Sequence, residues 1–181
     1  NKNKIFQFND LKYQGSFLAF RLEGDKKSIE ERKKDLFKEL QLNKQKTSIL
    51  DVYQSVLFWQ KVNNLELFNN TKNNLLRIVV PFSNNEKLMK YIKNKYKYYV
   101  DWSGSLFWIE VADKDEKKIK NIKKFILEMD GYLTIIKRSE NFSFDANLFT
   151  INENRLFISR KIKESFDPKR IFNPGKMYRE V

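Results

Sequence analysis

LLRIVVPFSNNEKLMKYIKNKYKYYVDWSGSLFWIEV, residues 75–111, decides how this chain is read. LLRIVVP is a short aliphatic, β-branched run closed by Pro81, which predicts a strand over 75–81. NNEKLMKYIKNKY then places Leu88, Met89 and Ile92 on one helical face. KYYVDW and SLFWIEV are two further strands, and Ser103-Gly104 between them suits a tight hairpin.

The pattern continues downstream. In KDEKKIKNIKKFILEMDG, Ile119, Ile122, Ile126 and Met129 recur at helical spacing, and Gly131 supplies a stop. YLTIIKR, 132–138, is the closing strand. The order β-α-β-β-α-β over residues 75–138 predicts an α+β, ferredoxin-like unit, with an antiparallel sheet carrying its helices on one face.

Upstream, SFLAFRL (16–22) alternates Leu18, Phe20 and Leu22 and reads as a strand. A helix with Asp25 as N-cap follows, its stripe built from Ile29, Leu36, Phe37 and Leu40. TSILDV (47–52) reads as another strand, and Val52, Val56 and Trp59 as the inner face of the next helix. Residues 16–70 thus look like a partial second copy of the unit in topology, without sequence repetition. This gives a domain at 1–150, followed by a C-terminal helix and rigid tail at 151–181. Leu156, Ile158 and Ile162 mark that last helix, which Asp167-Pro168 ends.

Composition narrows the chemistry. The chain has 181 residues, no cysteine and no histidine. Disulfides, thiolate or imidazole metal sites and the Ser-His-Asp triad are therefore absent, which argues against a hydrolase or metalloenzyme built on this chain alone. The net charge of +13 raises nucleic acid as a partner. However, 28 of the 36 basic residues are lysine, beside 19 asparagines, and coding bias in an AT-rich genome explains that surface more simply. No run is long and apolar enough to suggest a membrane helix. The first residue is Asn, and the chain reads as a piece of something longer.

The tail FDPKRIFNPGKMY, 166–178, holds two Asp/Asn-Pro steps and a Pro-Gly. Pro174 presets φ and Gly175 permits positive φ, which suits a type II turn pinning Asn173. From geometry alone the plainer reading is a surface turn that tucks Phe172 and Tyr178 into the core. The order of residues, though, closely resembles the C-terminal signature of FAD-linked oxidases of the vanillyl-alcohol-oxidase superfamily, and in particular the E subunit of bacterial glycolate oxidases. LLRIVVP, VDWSGSLFW and DGYLTIIKR follow in the same order as that subunit's segments, and SVLFWQKVNNLELF resembles a helix before them. The likeness runs from about Phe17 to Tyr178.

The resemblance implies a ferredoxin-like cap whose tail returns to lie beside FAD, with the N-terminal FAD-binding half outside this sequence. Only five glycines are present, none paired, so no pyrophosphate loop is available for FAD here. By the family match, the flavin-adjacent candidates are Asn173, Pro174, Gly175 and Lys176, with Arg138 a weaker one. No catalytic residue is assigned, and no metal. Catalytic relatives carry a His-rich metal motif in the cap, which a chain without histidine cannot form. A supporting role follows, with a catalytic flavoprotein subunit and an iron–sulfur subunit as partners and a small 2-hydroxy acid as the complex's substrate. The implied location is cytoplasmic, with the inner membrane reached through the complex. The alternative is a basic RNA-recognition-type domain, which shares the topology. Tyr98, Phe107 and Trp108 would serve it, but GSLFWIEV lacks that family's Lys/Arg-Gly-aromatic pattern.

Overall fold

The computed structural model describes residues 5–8, 11–14, 17–42, 47–112, 116–140, 142, 147–176 and 178. The chain divides into two compact units, Asn1–Leu67 and Phe68–Val181.

In the first unit, β1 (Ile5–Phe8) and β2 (Leu11–Gln14) form an antiparallel hairpin with Phe8 opposite Leu11. Helix α1 (Lys26–Glu39) starts where expected, the Asp25 carboxylate accepting the Ser28 N–H at 3.0 Å. Helix α2 (Val52–Asn63) opens on a capping box: Asp51 accepts the Gln54 N–H at 2.8 Å, and the Gln54 side chain accepts the Asp51 N–H at 3.2 Å. Its inner residue is Phe58, set edge-on to Phe17 and Trp59, whereas Val52 is 84% exposed.

Two expected strands, 16–22 and 47–52, are absent among the described residues. Residues 17–22 and 47–51 pair with no neighbour, and Phe17, Leu18 and Phe20 are exposed. Alternation marks a possible face, but a strand exists only where a second chain segment satisfies its N–H and C=O groups. The partial β-α-β copy is thus missing from the described residues, and the unexpected β1–β2 hairpin is this unit's sheet.

The second unit is α+β and ferredoxin-like. β3 (Asn74–Val79), α3 (Asn85–Ile92), β4 (Lys97–Asp101), β5 (Leu106–Val111), α4 (Glu116–Leu127) and β6 (Tyr132–Lys137) follow in order. The sheet order is β4-β5-β3-β6 with every pair antiparallel. Helix α5 (Glu153–Phe166) closes the set.

The core lies between one sheet face and α3 and α4. Leu76, Ile78, Phe107, Ile109 and Leu133 meet Leu88, Ile92, Ile119, Ile122 and Ile126, all 1% exposed or less. The spacing of Ile119, Ile122, Ile126 and Met129 therefore marked the buried stripe of α4 correctly.

Local details depart from expectation. The β4–β5 connection is not a two-residue turn: Asp101 pairs with Leu106, leaving a four-residue loop with a short 3-10 turn at Trp102–Gly104. Trp102, Ser103 and Gly104 all have positive φ, at 50°, 51° and 100°. At the end of α4 the left-handed residue is Asp130 (φ 53°), not Gly131. Glycine is required at 131 for a different reason: a Cβ there would stand 2.9 Å from both Ile126 Cγ2 and Val80 Cγ1 and 3.0 Å from the Val79 carbonyl oxygen. Gly131→Ala is expected to destabilise the protein by about 1–3 kcal/mol through overpacking. A urea titration checks this, the midpoint falling while the slope is kept.

Candidate functional site: the anchored tail

The last turn of α5 and the tail are organised by one carboxylate. Asp167, 6% exposed, follows the helix and accepts the Ile171 N–H on Oδ1 and the Phe172 N–H on Oδ2, both at 2.9 Å. Lys163, one helical turn back, places its ammonium 2.7 Å from Oδ2 and also donates to the Phe172 carbonyl. The lysine hydrogen bond, with the two backbone donors behind it, outweighs desolvation and holds the Asp167 carboxyl at about 2.

This cage bends the chain sharply. Arg170 and Asn173 take left-handed conformations, with φ of 52° and 47°. The turn then closes as the Lys176 N–H donates to the Asn173 carbonyl at 3.2 Å, with Pro174 and Gly175 at its corner and Gly175 at φ 67°. Residues 171–176 are exposed, so Phe172 (68%) is not tucked into the core. Tyr178 is partly buried, edge-on to Phe149, whose backbone bridges to Thr134 of β6. It also lines a groove of about 300 Å³ with Tyr132, Thr150, Asn152, Arg155 and Ser159.

The sequence candidates separate into two places. Asn173, Pro174, Gly175 and Lys176 lie together in the exposed turn. Arg138 follows the end of β6, while Tyr178 returns near Tyr132 at its start, on the order of 20 Å along an extended strand. Arg138 is exposed and lies outside that groove.

Two groups escaped the sequence reading. In the sequence Asp167 marks a helix stop; its second role depends on the backbone N–H groups four and five residues on, which only the bend brings to it. Arg77 reads in the sequence as part of a strand; it is the lone charge in the apolar run LLRIVV, at the centre of the sheet.

As a chemical device the tail offers an exposed, pre-ordered turn. The groove's volume stands at the lower bound for small-ligand pockets, far too small to enclose a dinucleotide. Among the described residues no group of three or more acidic, His or Cys side chains could hold a metal, and no helix is long and apolar enough to cross a membrane. Compared with protein-family models, curated proteins and solved structures, the chain matches none.

The carboxylate cage has a measurable pH signature. Because its folded pKa is depressed, Asp167 holds the tail fully above its ordinary value of 3.8 and loses it as pH falls toward about 2. Trypsin cleavage after Lys169 or Arg170 should be slow at neutral pH and accelerate in Asp167→Ala while the core stays folded. In the wild type, amide exchange at Ile171 and Phe172 should lose protection only between about pH 4 and pH 2.

Proposed function

We propose that this chain is the C-terminal part of the E-type subunit of an FAD-dependent glycolate oxidase complex, which oxidises glycolate to glyoxylate. The observation that carries the reading is the tail FDPKRIFNPGKMY, in which the Asp167 cage holds Ile171 and Phe172 so that Asn173-Pro174-Gly175 stands exposed beside a ferredoxin-like unit. A turn held this way loses little further entropy when it meets a cofactor.

In this proposal FAD is held mainly by a domain outside this sequence and supplies the acceptor for the substrate's electrons. The residues of this chain have the remaining tasks. Asn173 presents its amide and carbonyl at the flavin edge, while Pro174 and Gly175 keep the turn from reaching further. Lys176 places a cation beside them. Exposed Ile171 and Phe172 seal that edge from water when the FAD-binding domain covers them. Arg138 is a lesser candidate for the same side. The subunit supports the oxidation rather than performing it, docking a catalytic flavoprotein subunit and an iron–sulfur subunit. The complex works in the cytoplasm and reaches the inner membrane through its assembly.

An RNA-binding reading keeps the topology but is less well supported. Of its three stacking residues, Phe107 is buried in the core with Tyr98 packed against it, and Trp108 on the opposite face is stacked on Tyr99. Glu110 adds a carboxylate to that face.

The test is the native subunit purified from its source. A mass about twice 21.9 kDa with flavin absorbance is expected; a flavin-free subunit of this chain's own mass would sink the proposal. Asn173→Ala should then shift the flavin's visible spectrum or potential and leave the fold unchanged.

A further inference from the structure

The sheet face opposite α3 and α4 carries Arg77, Trp108 and Thr134, and the buried indole N–H among them has no acceptor among the described residues. Arg77 is at the middle of β3 and lies directly across from Trp108 on β5 and Thr134 on β6. All three alternate with core residues, so they share that face: Arg77 lies between buried Leu76 and Ile78, Trp108 between Phe107 and Ile109, and Thr134 between Leu133 and Ile135. Trp108 and Thr134 therefore flank Arg77 on either side, each about 5 Å from it across the ladder.

Arg77 is partly buried and has no carboxylate partner among the described residues; its contact is the Trp102 ring, 5.1 Å from the guanidinium carbon. The Trp108 Nε1–H is buried and has no hydrogen-bond partner among the described residues. An indole N–H in that position costs free energy unless something accepts from it. The nearby acids are engaged otherwise. Glu110 accepts from Thr71 Oγ1 at 2.7 Å and Asn73 Nδ2 at 2.6 Å and faces Lys97 at 3.5 Å. Asp101 accepts the Trp102 N–H at 2.7 Å. That last bond helps hold Trp102, a bulky residue, at φ 50°, where sterics disfavour it. The Trp102 ring so placed lies against the Arg77 guanidinium.

We infer that Arg77, Trp108 and Thr134 form a binding site for the carboxylate of a small monocarboxylic acid. A planar, two-oxygen anion matches the guanidinium fork, and a second lone pair on it can accept from the indole N–H or the threonine hydroxyl. A tetrahedral phosphate would leave oxygens and charge uncompensated beside Glu110. That the acid is a 2-hydroxy acid such as glycolate rests on the function proposed above; the carboxylate chemistry does not. The site gives a subunit that performs no oxidation a direct part in reading the acid.

The experiment titrates the native subunit with sodium glycolate at constant ionic strength, following tryptophan fluorescence and calorimetric heat, with inorganic phosphate and an oligonucleotide as comparison probes. Saturable glycolate binding is expected, weakened about tenfold or more by Arg77→Gln and restored in part by Arg77→Lys. Trp108→Phe and Thr134→Val, which keep the packing, should each weaken it by a smaller factor. Binding that is absent, or that Arg77→Gln and Trp108→Phe leave unchanged in folded protein, overturns the site. So does phosphate binding tighter than glycolate, or salt-sensitive oligonucleotide binding lost with Arg77. Flavin absorbance is read separately. Glycolate binding without flavin retains the site while removing the oxidoreductase proposal, and flavin without Arg77-dependent binding does the reverse.

Discussion

A sheet that packs one of its faces on α3 and α4 is the constraint from which the second unit follows. Each strand must split its residues, one half into a dry core and the other half toward whatever lies on the opposite side. On β3 the split is Leu76 and Ile78 inward, Arg77 outward; on β5 it is Phe107 and Ile109 inward, Trp108 outward. Shifting the register by one residue would drive Arg77 into the isoleucines of α4, so the pairing is fixed by the cost of burying an arginine. The same alternation collects polar and aromatic groups from four strands onto one surface. Part of that surface is closed by the segment leading into β3, where Phe68 stacks on Tyr99 and Thr71 and Asn73 bond Glu110. The part around Arg77 has no such cover from that segment.

The tail obeys a different logic. It has few apolar contacts to order it, and several of its residues are exposed hydrophobics. Its shape comes from one carboxylate that collects two backbone N–H groups and an ammonium. Charge-assisted bonds of this kind are strong for their number, so a short segment can be shaped without a core of its own. The exposed face of α5, with Phe157, Ile158, Ile162 and Phe166, continues into exposed Ile171 and Phe172. Its three expected inward residues are thus mostly outward: only Leu156 is partly buried.

Legibility varied with how far each element depends on neighbours distant in sequence. Helices α1 and α4 were readable because caps and stripes are local: Asp25 and the isoleucine spacing of α4 needed no tertiary information. The segment 17–22 misled because its alternation is a property of one strand, while a sheet needs two. The Trp102–Gly104 loop misled for a related reason. Ser-Gly satisfies a tight turn by composition, but Asp101 captures the Trp102 N–H and the chain takes a longer path. In the tail, Pro174 and Gly175 announced a turn, and the turn is there.

The sequence by itself determined the order of elements in residues 75–138, the buried stripe of α4, the absence of histidine and cysteine chemistry, and the turn at Asn173-Pro174-Gly175. These depend on spacing within one segment or on the mere presence of a residue type. Only the tertiary structure decided which strands exist in the first unit, that Asp167 orders the tail, that Gly131 is demanded by Ile126 and Val80, and that Arg77, Trp108 and Thr134 face one another. Each of those is a relation between groups brought together by register or by a sharp bend. The free energy that selects it is shared between partners, and neither partner's own sequence window contains it.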